Sequence, residues 1–317
     1  MLHGVMPGPF VSFAQNREDV VLWRALRGVA EGRYVEVGAN HPRTFSVTRG
    51  FYDRGWSGIT VEPVPTLAAL HRAERPRDTQ VEAAVVDVPA GTPGGTVTLH
   101  RIGDTGLSTL DDHIAEGHTS AGYAAEDLQV PARRLDEVLA SAGWSPADDL
   151  HFVVVDVEGA EGAVLRSVDL RTWRPWVLVV EATEPRTTAP THGAWEPDLL
   201  AAGYRFCLFD GLSRFYVAEE HADRLGPLLS YPACPLDEYD TDLDLQRRAT
   251  IDGLTEDLVR WRSAALGRWA DAVASASAPP PDGTADHLRG ELEAMRRTVS
   301  WRVTAPLRAV RRRAATR

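Results

Sequence analysis

Two cysteines, no long apolar run and one glycine where a dinucleotide site carries three already bound what this 317-residue chain does. Cys207 and Cys234 supply neither a disulfide framework nor a C-x-x-C metal spacing, and read as a buried apolar residue and a loop thiol. No apolar stretch approaches the ~20 residues of a membrane span, and MLHGVMPGPF lacks a basic start followed by an apolar h-region. A soluble, cytoplasmic protein without an export signal is therefore expected. Basic charge is short as well: 34 Lys and Arg against 45 Asp and Glu leave a net charge of −11, which argues against nucleic acid as a partner. With 44% hydrophobic and 25% charged residues, the chain can bury one large core plus appendages.

The richest stretch is RYVEVGANHPRTFSVTRGFYDRGWSGITVEP, residues 33–63. It reads as a strand at 34–37, a turn at Gly38, Ala39 and Asn40, a helix through 51–54 and a second strand at 58–61 closed by Glu62. Such a βαβ unit makes a right-handed crossover that sets its two strands parallel and adjacent. Gly38 lets the backbone pass close to a ligand, and Glu62, ending the second strand, is placed to accept hydrogen bonds from ribose hydroxyls. The G-x-G-x-x-G of a pyrophosphate site is missing. In its place Glu36 stands two residues before the single glycine, where it would repel a pyrophosphate but suit the ammonium of an amino-acid moiety. The pattern favours S-adenosylmethionine (SAM) over NAD.

Along the chain, 1–11 reads as a loose leader and 12–231 as the catalytic domain. Residues 18–26 are amphipathic, and Gln15 and Asn16 before them read as a helix-capping region. After the βαβ unit come a helix at 65–75 and a strand at 79–86 ending in Asp87, which either caps a turn or lines the cleft with Ala84. A Pro/Gly cluster at 89–95 leads into a strand at 96–101. Residues 103–129 show no clear period and hold His113, His118 and Tyr123; this stretch is the expected substrate lid. A short helix at 133–142 precedes LHFVVVDVEGAEGAVL, whose run at 152–155 is apolar enough for a central parallel strand. Asp156 and Glu158 then lie at the carboxyl end, where ligands bind in open α/β sheets, or else cap the following helix. Another strand at 176–180 ends in Glu181. A helix at 195–204 is followed by two strands around an Asp210–Gly211 turn, a hairpin signal. Residues 232–269 read as a helical extension and 270–284 as a linker. The tail, 285–317, is basic, with nine Arg against three acidic residues over 286–317, and Leu288, Leu292, Met295 and Val299 space a short coiled-coil-like seam.

YVEVGANHP, SVTRGFYDRGWSGITVEPVP and VVVDVEGAEGAVL, preceded by SFAQNREDVVLWRAL, occur in the order found in the FkbM family of SAM-dependent methyltransferases, which the chain resembles over 12–218. The resemblance implies an α/β, Rossmann-like class I methyltransferase fold: a mostly parallel sheet with helices on both faces, a C-terminal antiparallel hairpin and, here, a helical extension. It implies O-methyl transfer from SAM, with the helix after Gln15 covering one edge of the pocket. The cofactor set expected on this basis is Gln15, Glu36, Gly38, Asn40, Glu62 and Asp87. Asp156, His41 and Glu158 are the catalytic candidates. His41 fits the GANHP variant, or serves as a helix-start residue before Pro42. Deprotonation of the acceptor by a side chain and a Mg²⁺ ion held by Asp156 and Glu181 stay open as alternatives.

Residues 192–218 and the ending SWRVTAPLRAVRR also resemble proteins of glycan clusters, which points to a sugar hydroxyl of a polysaccharide or glycolipid precursor as acceptor. Trp56, Trp144, Trp173, Trp176 and Trp195 are numerous enough for a stacking face, or are core. The basic tail reads as a docking element for a partner helix, an anionic membrane surface or the acidic body, and the oligomeric state stays open. Two rival classes remain: a Rossmann-type nucleotide-sugar or NAD enzyme, and a non-catalytic adaptor working through its tail.

Overall fold

The computed structural model describes residues 8–89, 95–103, 105–277 and 283–305. Of the sequence expectations, the start of the leader, most of the Pro/Gly cluster, part of the linker and the arginine-rich end of the tail fall outside these residues.

The first unit runs to Arg247. It opens with β1 (Phe10–Ser12), α1 (Glu18–Leu26), β2 (Arg33–Val37), α2 (Arg49–Asp53), β3 (Ser57–Val61), α3 (Pro65–Glu74) and β4 (Thr79–Val81). Then come β5 (Ala84–Val85), β6 (Thr96–Ile102), α4 (Asp112–Ser120), β7 (Ala125–Arg133), α5 (Leu135–Ser141), β8 (Phe152–Val155) and α6 (Glu161–Arg166). β9 (Val177–Glu181), α7 (Glu196–Ala201), β10 (Tyr204–Phe209), β11 (Ser213–Ala218), α8 (Ala222–Leu229) and β12 (Tyr239–Thr241) complete it.

Seven strands form the central sheet in the order β10-β11-β9-β8-β2-β3-β4. β9, β8, β2, β3 and β4 are mutually parallel, and β11 runs antiparallel to both β9 and β10. Side chains alternate between two cores, as the period of two demands. Val35, Val153, Val155 and Leu178 join Leu139 of α5 and Val164 of α6 on one face. Tyr34, Phe152, Val154 and Val179 join Leu22 of α1, Phe51 of α2 and Leu225 of α8 on the other. Burial on both faces is why these strands read as nearly unbroken apolar runs.

From β2 the chain builds outward through β3 to β4, then returns to β8 on the opposite side. The carboxyl ends of β2 and β8 therefore flank the point where strand order reverses, the place where open α/β sheets leave a crevice. The backbones are close there: Asp156 N–H donates to the Val37 carbonyl at 3.0 Å.

Four boundaries differ from the sequence reading. The expected strand at 79–86 is broken, because β4 pairs with β3 while β5 joins β7 and β6 in a separate three-stranded sheet. The supposedly irregular 103–129 contains α4, capped by the Asp111 carboxylate on the His113 and Ile114 amides, and the start of β7, which pairs antiparallel with β6 over its length. The leader is anchored from Phe10, which is buried and stacks on Trp23, and β1 pairs with β12. The first unit consequently continues past 231: Arg24 is bonded to Asp237 at 3.0 Å with both side chains buried, and Arg43 is paired with Asp242.

In the second unit, from Arg248 on, α9 (Asp242–Ser277) is one continuous 36-residue helix that takes in the first residues assigned to the linker. α10 (Thr284–Arg297) carries Leu288, Leu292 and Met295, all exposed, but the seam stops at Thr298, which is extended and caps α11 (Val299–Val303) through its hydroxyl. Val299 thus belongs to a different helix from the other three. Among the described residues, no helix is long and apolar enough to cross a membrane.

Candidate active site

At the carboxyl ends of β2, β3 and β8 lies a cleft of two lobes with volumes of about 440 and 560 Å³. Gly38, Asn40, Phe45, Gly106, Asp156 and Glu158 border both lobes and mark their junction.

The first lobe is lined by Glu62, Val64, Leu67, Ala83, Ala84, Val85 and Leu99, so its walls are mainly apolar. Glu62 is buried, and its two oxygens accept from the Asn40 and Val64 amides, each at 2.8 Å. Each oxygen retains a free lone pair, and burial pushes the carboxyl up to about 7. Asn40 takes the left-handed conformation, φ 46°, held by its amide on Glu62 and by the buried His71 ring on its carbonyl at 3.0 Å. Gly38 is also left-handed at φ 81°, and a Cβ there would come within 1.7 Å of the Asp156 carbonyl oxygen. Its need for glycine thus comes first from the crossing of the two strand ends rather than from a ligand.

The second lobe carries the carboxylates. Asp156, Glu158 and Glu181 each bring an oxygen within 4.8 Å of the others, from the ends of β8 and β9. Glu158 stands at φ 54°, and its Oε2 and that of Glu181 are buried without a hydrogen-bond partner. Burial, then repulsion from Asp156, raises both groups, Glu158 to about 8 and Glu181 further. Asp156 opens onto the cleft although protein surrounds it, and burial raises it too, while a hydrogen bond with Glu181 pulls the other way. Of the three, Glu181 is raised furthest, by burial and then by repulsion from Asp156 and Glu158. The helix-capping alternative for Asp156 and Glu158 is taken up by a neighbour: Glu161 Oε1 accepts from the Val157 and Gly159 amides, at 3.3 and 3.0 Å.

Other expected site residues are distributed unevenly. Gln15 is exposed on the rim of the second lobe. Glu36 borders that lobe, but its carboxylate is already engaged by the Val47 amide at 2.9 Å, the Ser46 and Thr48 hydroxyls and Arg75 at 3.6 Å. It ties down the 46–48 turn instead of presenting a free oxygen to an ammonium. Asp87 lies outside both lobes, bonded to Arg134 and Arg166, and that segment reaches the cleft through Ala83, Ala84 and Val85. His41 does line the first lobe, but its Nδ1 accepts from the Arg43 and Thr44 amides, both at 3.1 Å. That fixes the proton on Nε2 and makes the ring a loop anchor rather than a base. None of the five tryptophans borders either lobe: Trp56 and Trp195 are buried, and Trp144, Trp173 and Trp176 pack against the cores.

The expected lid does reach the cleft. Gly106, Ser108 and Leu110 line the first lobe, and Leu107 and Tyr123 the second. It is stapled down where the Thr109 hydroxyl donates to the Glu158 carbonyl at 2.7 Å. Phe45 was not singled out in the sequence, since an aromatic inside a polar turn carries no periodic signal.

A mostly parallel sheet whose switch-point cleft joins an apolar lobe, closed by one strand-end carboxylate, to a lobe of clustered carboxylates has the layout of a methyltransferase. The family profile described as Methyltransferase FkbM domain matches residues 36–206, and the chain belongs to this family. No curated protein matches the chain.

Proposed function

We propose that the protein is a SAM-dependent O-methyltransferase of the Rossmann-like class I type, acting on a sugar hydroxyl of a polysaccharide or glycolipid precursor. The observation that carries this reading is the meeting of the two lobes at Gly38, Asn40 and Asp156. On this reading the apolar lobe would hold the adenosine, and Glu62 would accept from the ribose hydroxyls. Gly38, Asn40 and Asp156, at the junction, would then lie between the methyl donor and the carboxylate lobe.

The methyl group is already activated, so the protein mainly has to hold the acceptor oxygen in line with it, a positioning effect of several kcal/mol. SAM, when bound, would supply the methyl group to the acceptor oxygen and leave as S-adenosylhomocysteine, and Asp156 would take the hydroxyl proton. Glu181, raised furthest of the three carboxyls, would hold its own proton beside Asp156 and orient it. The all-oxygen donor set of Asp156, Glu158 and Glu181, two of whose buried oxygens lack partners, also fits a hard divalent ion such as Mg²⁺. Bound there, the ion would relieve the mutual repulsion and lower the pKa of a nearby hydroxyl.

The sugar assignment is supported by the glycan-cluster resemblance of residues 192–218 and of the tail, and by a lobe whose carboxylates suit a neutral hydroxyl donor. Its test is transfer of radiolabelled methyl from SAM to a cell-envelope glycan extract, with label expected in the glycan fraction. Label confined to protein or small amines would contradict the acceptor while leaving SAM use intact.

A further inference from the structure

Phe45 is 60% exposed, and it borders both lobes of the cleft, as do Gly38 and Asp156. Its backbone is left-handed, at φ 63°, a conformation that aromatic residues avoid and glycine takes freely. The turn around it is pinned almost residue by residue. The Arg43 and Thr44 amides bond to His41, the Ser46 hydroxyl and Val47 amide bond to Glu36, and Phe45 itself bridges to Ala14. A rigid turn thus holds a phenyl ring in water, in a strained conformation, at the junction where the two reactants would meet. Strain and apolar exposure together at one point of a cleft mark a group kept for a ligand rather than for stability.

We propose that Phe45 is the face on which the acceptor ring stacks, so that this side chain sets acceptor binding and selects which hydroxyl meets the methyl group; this rests on the sugar O-methyltransferase reading above. The apolar C–H face of a pyranose covers the phenyl ring and removes it from water, while the hydroxyls on the ring edge turn toward Asp156 and Glu158. The tryptophans supply no such surface, since none borders the cleft.

The test compares the wild type with Phe45→Leu, Phe45→Tyr and Phe45→Gly. SAM affinity is measured by calorimetry, and kcat and KM with the envelope glycan fraction that the wild type labels. Phe45→Leu and Phe45→Gly should raise the acceptor KM tenfold or more with the SAM Kd changed less than twofold, and Phe45→Tyr should keep both. Phe45→Gly should also raise Tm, because glycine relieves the left-handed strain; a lower Tm in that variant would assign the ring a structural role and overturn the proposal. An unchanged acceptor KM in Phe45→Leu, with the wild type active, overturns the stacking alone, as does a SAM Kd that rises in step with KM. A wild type that labels no glycan overturns the parent reading and the stacking together.

Discussion

Gly38 and Asp156 share one constraint, because the strand ends that carry them leave no room for a Cβ between them. Gly38→Ala should therefore destabilise the fold by on the order of 3 kcal/mol, combining a backbone clash with left-handed strain; denaturant unfolding measures this, and a wild-type midpoint would contradict the packing described. Asp156→Asn should instead leave stability and SAM affinity close to wild type and lower kcat by about 10²- to 10⁴-fold, the range of a lost general base. Equal kcat in the two proteins would reduce Asp156 to a structural role.

At this scale the sequence was legible where strand-end position alone decides. Gly38, Glu62, Asp156 and Glu181 were all placed by their spacing from apolar runs, and all reach the cleft. It misled where another group of the fold claims the side chain. Glu36 is taken by the 46–48 turn and Arg75, Asp87 by Arg134 and Arg166, and the His41 imidazole by two amides of its own loop. Phe45 was invisible because nothing in the sequence reveals a left-handed backbone on an aromatic.

The β8–α6 connection and the end of β9 gather carboxylates that fold with raised pKa values, and this has a pH signature. Glu158 is raised to about 8 by burial and Asp156, and Glu18 at the start of α1 to about 8 by burial and Asp210. In the unfolded chain both are ionised above their ordinary value of 4.5. Between pH 7 and 8.5 the folded state therefore holds protons that the unfolded state lacks, so stability falls as pH rises through this window. The buried histidines, with lowered values such as about 4 for His71, are largely neutral in both states there and add little slope. These two groups alone give an expected loss of about 2–3 kcal/mol, or several degrees in Tm, for the metal-free protein, and Glu181, raised further, adds to it. Calorimetry at the two pH values checks it, and a Tm that rises from 7 to 8.5 would contradict it.

The elements themselves were legible in proportion to their burial. β2, β3, β8 and β9 are apolar on both faces and were found within a residue or so. β7 escaped because its sequence, AEDLQVPAR, exposes most of its side chains and contains a proline, so neither alternation nor apolar content betrays a strand.

For the whole molecule, the methyltransferase unit does not end at 231 as its composition suggested. β12 pairs with β1, and Asp237 closes a buried ion pair with Arg24. A chain ending at Tyr231 should lose about 3–5 kcal/mol against one ending at Arg247, since Arg24 would be left buried without its carboxylate. Equal unfolding midpoints would refute this. The exposed apolar residues of α9 and α10 and the arginines beyond them support a docking role for the C-terminal arm. On that view a chain ending at Ala270 keeps full SAM affinity, and loss of binding in that folded chain would count against it.

The central claim, that the switch-point cleft binds SAM with its ribose on Glu62, is tested most directly by isothermal titration of SAM into the wild type and into Glu62→Gln. One saturable site per chain is expected in the wild type. In Glu62→Gln it should weaken at least tenfold, from loss of charge-assisted hydrogen bonds worth ~1.5–3 kcal/mol each. No binding by the folded wild type, or equal affinity in the two proteins, would contradict it.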